Sequence, residues 1–177
     1  MSFIRSALVI APAYFFSSAA AHAAPSEEFY FQVQTSLWTT HFNPKPEHNN
    51  NQNLIGFELY GERLPKSNYQ RYNDSFDYAR PLLGAAWFRN SFGQKTIYAY
   101  GGIRQNLVRY GELQTYGKIT AGFIHGYRGE YQHKIPFNQL GIAPAVVPML
   151  GAQYRRGFAE ITLFGVSGVM LTVGVNF

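Results

Sequence analysis

Cysteine is absent from the chain. Disulfide staples and metal-thiolate sites are thereby excluded, and the fold must be held by packing and hydrogen bonds. Charge is also scarce. Asp, Glu, Lys and Arg together reach 14%, against about a quarter in ordinary soluble domains. Beyond the first residues no apolar run is long enough for a membrane-spanning helix. A sustained apolar stripe of helical period is missing too. The small basic excess, a formal +5, suits an anionic surface such as lipopolysaccharide. No cofactor, metal or nucleic-acid partner is expected.

What the chain does have is aromatic residues, 17% of the total, and a two-residue alternation. In the last segment Val169, Leu171, Val173, Val175 and Phe177 fall on one face, and Met170, Thr172, Gly174 and Asn176 on the other. Phe31, Val33 and Leu37 likewise oppose Gln32, Gln34 and Ser36. Period two is the signature of a strand with two unlike faces. Eight such segments can be placed, at about 29–42, 53–63, 80–91, 95–107, 113–126, 142–154, 157–166 and 168–177.

Residues 1–23 read as a secretory leader: Arg5, an apolar core from Ala7 to Phe16, and the cleavage-like Ala21-His22-Ala23. The expected organisation is a signal peptide at 1–23 and an all-β, eight-stranded antiparallel transmembrane barrel at 24–177, placed in the bacterial outer membrane. A terminal Phe177 behind alternating apolar residues is similar to the assembly signal of such barrels. Strand 1 would run outward. Segments 43–52, 91–95, 127–141 and 166–168 would then be extracellular, and 64–79, a long one, periplasmic.

The interior can be sorted by height on this parity. Towards the periplasm it would be polar, with Gln32, Gln34, Glu62, Arg104, Gln114, Glu160, Thr162 and Asn176. Towards the outside it would be oily, with Trp38, Leu54, Tyr98, Ile124, Phe164 and Met170. Eight strands enclose room for side chains or one small ligand, not for a wide pore. Pro144 and Pro148 each remove a ladder donor from the sixth segment. Such defects fit either a lateral gap for a lipid chain or a position at headgroup level.

Polar groups gather at the outer rim. His41 ends the first segment, and Asn90 and Ser91 end the third within Trp87–Gly93, WFRNSFG. Imidazole is the side chain that exchanges protons near neutral pH, and a serine hydroxyl can serve as nucleophile or hold a reacting oxygen. Strict alternation puts His41 on the lipid side with Leu37 and Thr39; a bulge near Thr39-Thr40 would turn it inward. The loop NPKPEHNNNQ, 43–52, reads as solvated, since its His and Glu show no metal-ligand spacing.

These rim residues resemble the lipid A palmitoyltransferase family, PagP. The matching stretches are SLWTTHF with Trp38 and His41, GAAWFRNSF with Asn90 and Ser91, KITAGFIHG, and PAVVPMLGAQY with its Pro-x-x-x-Pro spacing. They span roughly residues 30–177. The resemblance implies an outer-membrane barrel that moves an acyl chain from a phospholipid donor to a lipid A acceptor. It implies His41, Asn90 and Ser91 as the catalytic group, with Asn90 standing where the family has an acid. It implies an acyl pocket near Gly102, Pro144 and Pro148. Arg89, Lys95 and Arg128 would meet lipid A phosphates. Two other readings stay open: a non-enzymatic surface or binding barrel, and a lipid hydrolase using the same rim residues.

Overall fold

The computed structural model describes residues 29–64 and 79–177. The expected leader and nearly all of the 64–79 segment lie outside these. The chain forms eight strands: β1 (Tyr30–His41), β2 (Ile55–Tyr60), β3 (Ala79–Arg89), β4 (Lys95–Tyr110), β5 (Leu113–His125), β6 (Ile142–Tyr154), β7 (Gly157–Leu163) and β8 (Gly168–Asn176). Each pairs antiparallel with its sequence neighbours, and β1 closes on β8, so the sheet is a closed barrel. All eight expected segments are strands.

Alternation decides which residues face out. Phe31, Phe57, Leu83, Phe123, Val146 and Leu150 are all more than half exposed on the outer wall. A soluble protein does not display a continuous belt of this kind. A closed barrel pairs its strands with one another, which is the strand-built way to cross hydrocarbon. The protein is an eight-stranded transmembrane β-barrel.

The interior divides as the parity suggests. Leu54, Leu82, Ala86, Phe88, Tyr98, Val147 and Met170 form a buried apolar cluster. The rest of the core is a polar network. The Lys118 ammonium lies 2.9 Å from both oxygens of Glu58 and 2.7 Å from Oε1 of Glu160. Tyr60 and Tyr100 donate to Glu58 at 2.6 and 2.8 Å, and Tyr116 donates to Glu160 at 2.9 Å. Arg104 stacks over the Tyr116 ring at 3.6 Å and donates to Gln153 at 2.7 Å. Two glycines make room for this. Gly84 lies opposite Tyr100 and Gly151 opposite Tyr116. A Cβ at Gly84 would meet the Tyr100 ring within 2.6 Å, and one at Gly151 would collide with Tyr116. Each tyrosine therefore lies across a bare backbone and reaches one of the two carboxylates.

Gln32, Gln34, Arg104, Gln114, Glu160, Thr162 and Asn176 are buried as expected. Leu54, Tyr98 and Met170 are buried and Ile124 is half-buried. Three expectations fail. Glu62 is exposed because β2 ends at Tyr60, and the interior carboxylate of that strand is Glu58. Phe164 sits past the end of β7, in the exposed turn before β8. Trp38 is 54% exposed and faces outward. Its error has one cause, a register shift between Ser36 and Trp38 in the β1–β8 ladder. Leu37 is the extra residue, so Leu37 and Trp38 both point to lipid. Parity then reverses, Thr39 is 5% exposed, and His41 turns inward. The expected bulge exists, but two residues earlier than the Thr39-Thr40 position.

Candidate functional site

The turn between β3 and β4 is built by Asn90. Its carbonyl accepts from the Gly93 N–H at 2.9 Å, and its side-chain oxygen accepts from the N–H groups of Phe92 and Gln94 at 2.9 and 3.1 Å. This is an Asx-type turn, in which one short side chain replaces backbone partners. Gly93 supplies the left-handed residue, φ 73°, that such a hairpin needs. Asn90 is fully buried, and its amide nitrogen faces Gln94 and the Gly126 carbonyl. Its side chain is spent on the turn, with no hydrogen bond to His41. What it fixes is the position of Ser91.

Ser91 meets His41 across the rim. The distance from His41 Nε2 to Ser91 Oγ is 2.8 Å, although the two lie 50 residues apart. On the other side of the ring, His41 Nδ1 lies 2.8 Å from Oδ1 of Asn50. A hydroxyl, an imidazole and an amide oxygen thus form one chain. Such an order is the general signature of an activated nucleophile, its base and the group that orients the base.

Asn50 is delivered by loop 42–54, which is folded rather than merely solvated. The Asn49 N–H donates to the Ser91 carbonyl at 2.7 Å, and the Asn49 side chain donates to the Asn90 carbonyl at 3.2 Å. The Arg89 N–H donates to the Gln52 carbonyl at 2.8 Å, and the Gln52 amide donates to the Asn49 carbonyl at 2.8 Å. Loop and turn are stitched together on both sides of Asn50. The signal in the sequence was the run HNNNQN, a density of amides that can bond backbone.

Aromatic contacts roof this constellation. His48 packs on His41 with ring centres 4.3 Å apart, and Phe92 stacks on Tyr131 at 4.1 Å. Removal from water, followed by the neighbouring His41, holds the His48 imidazole below the usual histidine range. Tyr127 packs edge-on against Phe92, with ring centres 6.3 Å apart. Burial pushes the Tyr127 phenol up from its usual range, and Ser91 partly offsets the shift, so the hydroxyl stays neutral.

The remaining expected residues spread over three places. Arg89 and Lys95 are exposed and directly opposed across β3 and β4. Arg89 donates to the Gly93 carbonyl at 3.1 Å. Arg128 joins the same rim through Gln94 and lies 2.6 Å from His125 Nε2. Beside them opens a cleft of about 510 Å³ lined by Glu47, His48, Asn49, Asn51, Asn53, Arg89, Phe92 and Gly93. It adjoins His41 and Ser91 without containing either. Among the described residues no group of three His, Asp or Glu side chains is arranged to hold a metal.

Gly102 lies on the inward face of β4 between Tyr100 and Arg104, close against Thr120 of β5. It is level with the polar network, not with the rim. Pro144 and Pro148 point outward from β6. The β5–β6 ladder runs the full length of both strands, from Leu113–Tyr154 to His125–Ile142. The β6–β7 ladder stops at Met149–Thr162. Among the described residues, Ile142–Pro148 therefore have no ladder partner on the β7 side. Interior hydroxyls lean on this stretch, with Tyr98 donating to the Ala145 carbonyl at 3.3 Å and Thr120 to the Val147 carbonyl at 3.3 Å.

No family model matches the chain, and no curated protein matches it. Among solved structures, it is similar to the Yersinia pestis outer membrane protein Ail determined in a phospholipid bilayer nanodisc. That match covers 85% of this chain and 99% of the other, at 11% identity and a TM-score of 0.41.

Proposed function

We propose that this barrel is an acyltransferase of the outer leaflet, moving a fatty acyl chain from a phospholipid to lipid A. The observation that carries the reading is the 2.8 Å contact between His41 and Ser91 at the outer rim. A base and a hydroxyl there sit at the rim of a barrel whose interior holds a buried apolar cluster. The open side of β6 at Pro144 and Pro148 supports lateral entry of the donor chain, because proline has no donor to lose there. Gly102 belongs to the inward wall below that chain. Directly opposed like charges are unfavourable in a bare sheet. Arg89 facing Lys95, with Arg128 alongside, therefore suits an acceptor that brings phosphates.

Expression in an outer membrane followed by mass spectrometry of lipid A tests the proposal. The expected result is one added acyl chain, lost in Ser91→Ala and His41→Ala while the barrel keeps its heat-modifiable gel mobility. Unchanged lipid A with folded protein present sinks it. Release of fatty acid without acylated lipid A would favour hydrolysis instead. Effects of loop deletions but not of these two substitutions would favour a non-enzymatic surface barrel.

A further inference from the structure

We infer that Ser91 carries the acyl chain covalently, as an ester on its Oγ, and that Asn50 is the positioning residue that makes His41 its base. The inference rests on the acyl-transfer reading and names the route that reading takes.

The argument starts from the atoms facing His41. Asn50 presents its carbonyl oxygen to Nδ1. An amide oxygen only accepts, so the ring proton must sit on Nδ1. Nε2 then holds a lone pair, and that lone pair faces the Ser91 hydroxyl at 2.8 Å. This is the tautomer a general base needs. A charged acid is not required for it. An acid would fix the ring and its proton, which the amide oxygen also does, and would stabilise the imidazolium besides. The loop bonds make the arrangement rigid, because Asn49 is tied to both the Ser91 and the Asn90 carbonyls. Asn50 and Ser91 thus belong to one hydrogen-bonded unit, and His41 is clamped between them. Asn90 is excluded from the orienting role by its bonds to the turn.

The steps balance as follows. Ser91 Oγ attacks the donor ester carbonyl, and its proton passes to His41 Nε2. The bond from the acyl carbon to the glycerol oxygen breaks, and that oxygen takes the proton, leaving a lysophospholipid. An acceptor hydroxyl then gives its proton to Nε2 and attacks the acyl-serine carbonyl. Oγ leaves and recovers the proton. No oxidant, metal or further reactant is used.

A long-chain alkyl fluorophosphonate tests the inference with the full-length protein folded in phosphatidylethanolamine vesicles. Its phosphorus accepts the serine oxygen and fluoride leaves. Labelling is read by intact mass and peptide mapping, and lipid A acylation is measured in parallel. The expected result is one label on Ser91, none in Ser91→Ala, and labelling slowed about a hundredfold in Asn50→Ala. Asn50→Asp should label at close to the parent's maximal rate. Its acid limb should move to higher pH, because a carboxylate beside the ring stabilises the imidazolium and delays release of the free base. A purely structural role for Asn50 would not move that limb. Lipid A acylation with Ser91 unlabelled would overturn the covalent route and leave the transfer reading standing. Labelling of Ser91 without lipid A acylation would do the reverse. Full-rate labelling of Asn50→Ala would overturn the role of Asn50, and absence of both signals in folded protein would overturn both readings.

Discussion

Two asparagines at one rim do different work because of where their amides point. Asn90 is enclosed, and its Oδ1 accepts two backbone N–H groups, so it replaces ladder partners at a turn. Asn50 is exposed, and its Oδ1 meets an imidazole. Residue type and sequence position made Asn90 the natural candidate, since it adjoins Ser91. Geometry gives the orienting place to a residue 40 positions earlier. The difference is measurable. Asn90→Asp keeps the acceptor for both backbone N–H groups but turns its second oxygen towards the Gln94 and Gly126 carbonyls, 3.5 Å from the present amide, so acyl transfer should survive with some loss of stability. Asn90→Ala strands the Phe92 and Gln94 N–H groups and should lower stability by about 1–3 kcal/mol. Urea unfolding of vesicle-embedded protein reads the stability, and lipid A acylation reads the site. Equal loss of activity in both variants, without loss of stability, would return Asn90 to the chemistry.

At the scale of elements, the eight strands were legible because alternation is a local property of each segment. The residues that misled were those where a neighbour overrode it. Leu37 and Trp38 are both apolar, so nothing in composition marks which is extra; the ladder to β8 decides it. Loop 43–52 looked solvated because its amides are polar, and only the fold shows them bonded to the β3–β4 turn. The β1 bulge yields a paired prediction. Deleting Leu37 removes the unpaired residue, keeps His41 on the inward parity, and should leave acyl transfer within about threefold of the parent. Deleting Thr40, beyond the bulge, turns His41 towards lipid and should lower transfer about a hundredfold with the barrel still folded. A Thr40-deleted protein as active as the parent would refute the placement of His41 by parity.

For the whole molecule, the question is how a narrow barrel tolerates buried charge while keeping an oily half. Glu58, Lys118 and Glu160 are enclosed, with no exposure of the ion-paired side chains. Lys118 touches both carboxylates, and three tyrosine hydroxyls take up further lone pairs. Parity could have exposed this, since Glu58 shares a face with Tyr60, and Lys118 with Tyr116. The partnership itself is long-range and invisible in either segment. Removing the cation alone leaves two carboxylates facing each other in a low dielectric. Lys118→Met should therefore destabilise the barrel by about 3–5 kcal/mol. Replacing all three, Glu58→Gln, Lys118→Met and Glu160→Gln, removes the charge while keeping acceptors for the tyrosines. Most of the lost stability should return, because no unpaired ion remains. Unfolding midpoints in urea, followed by tryptophan fluorescence in lipid vesicles, compare the three proteins. A Lys118→Met barrel as stable as the parent would mean that the network is hydrated rather than sealed. The apolar cluster would then rest on water instead of on a fixed polar floor.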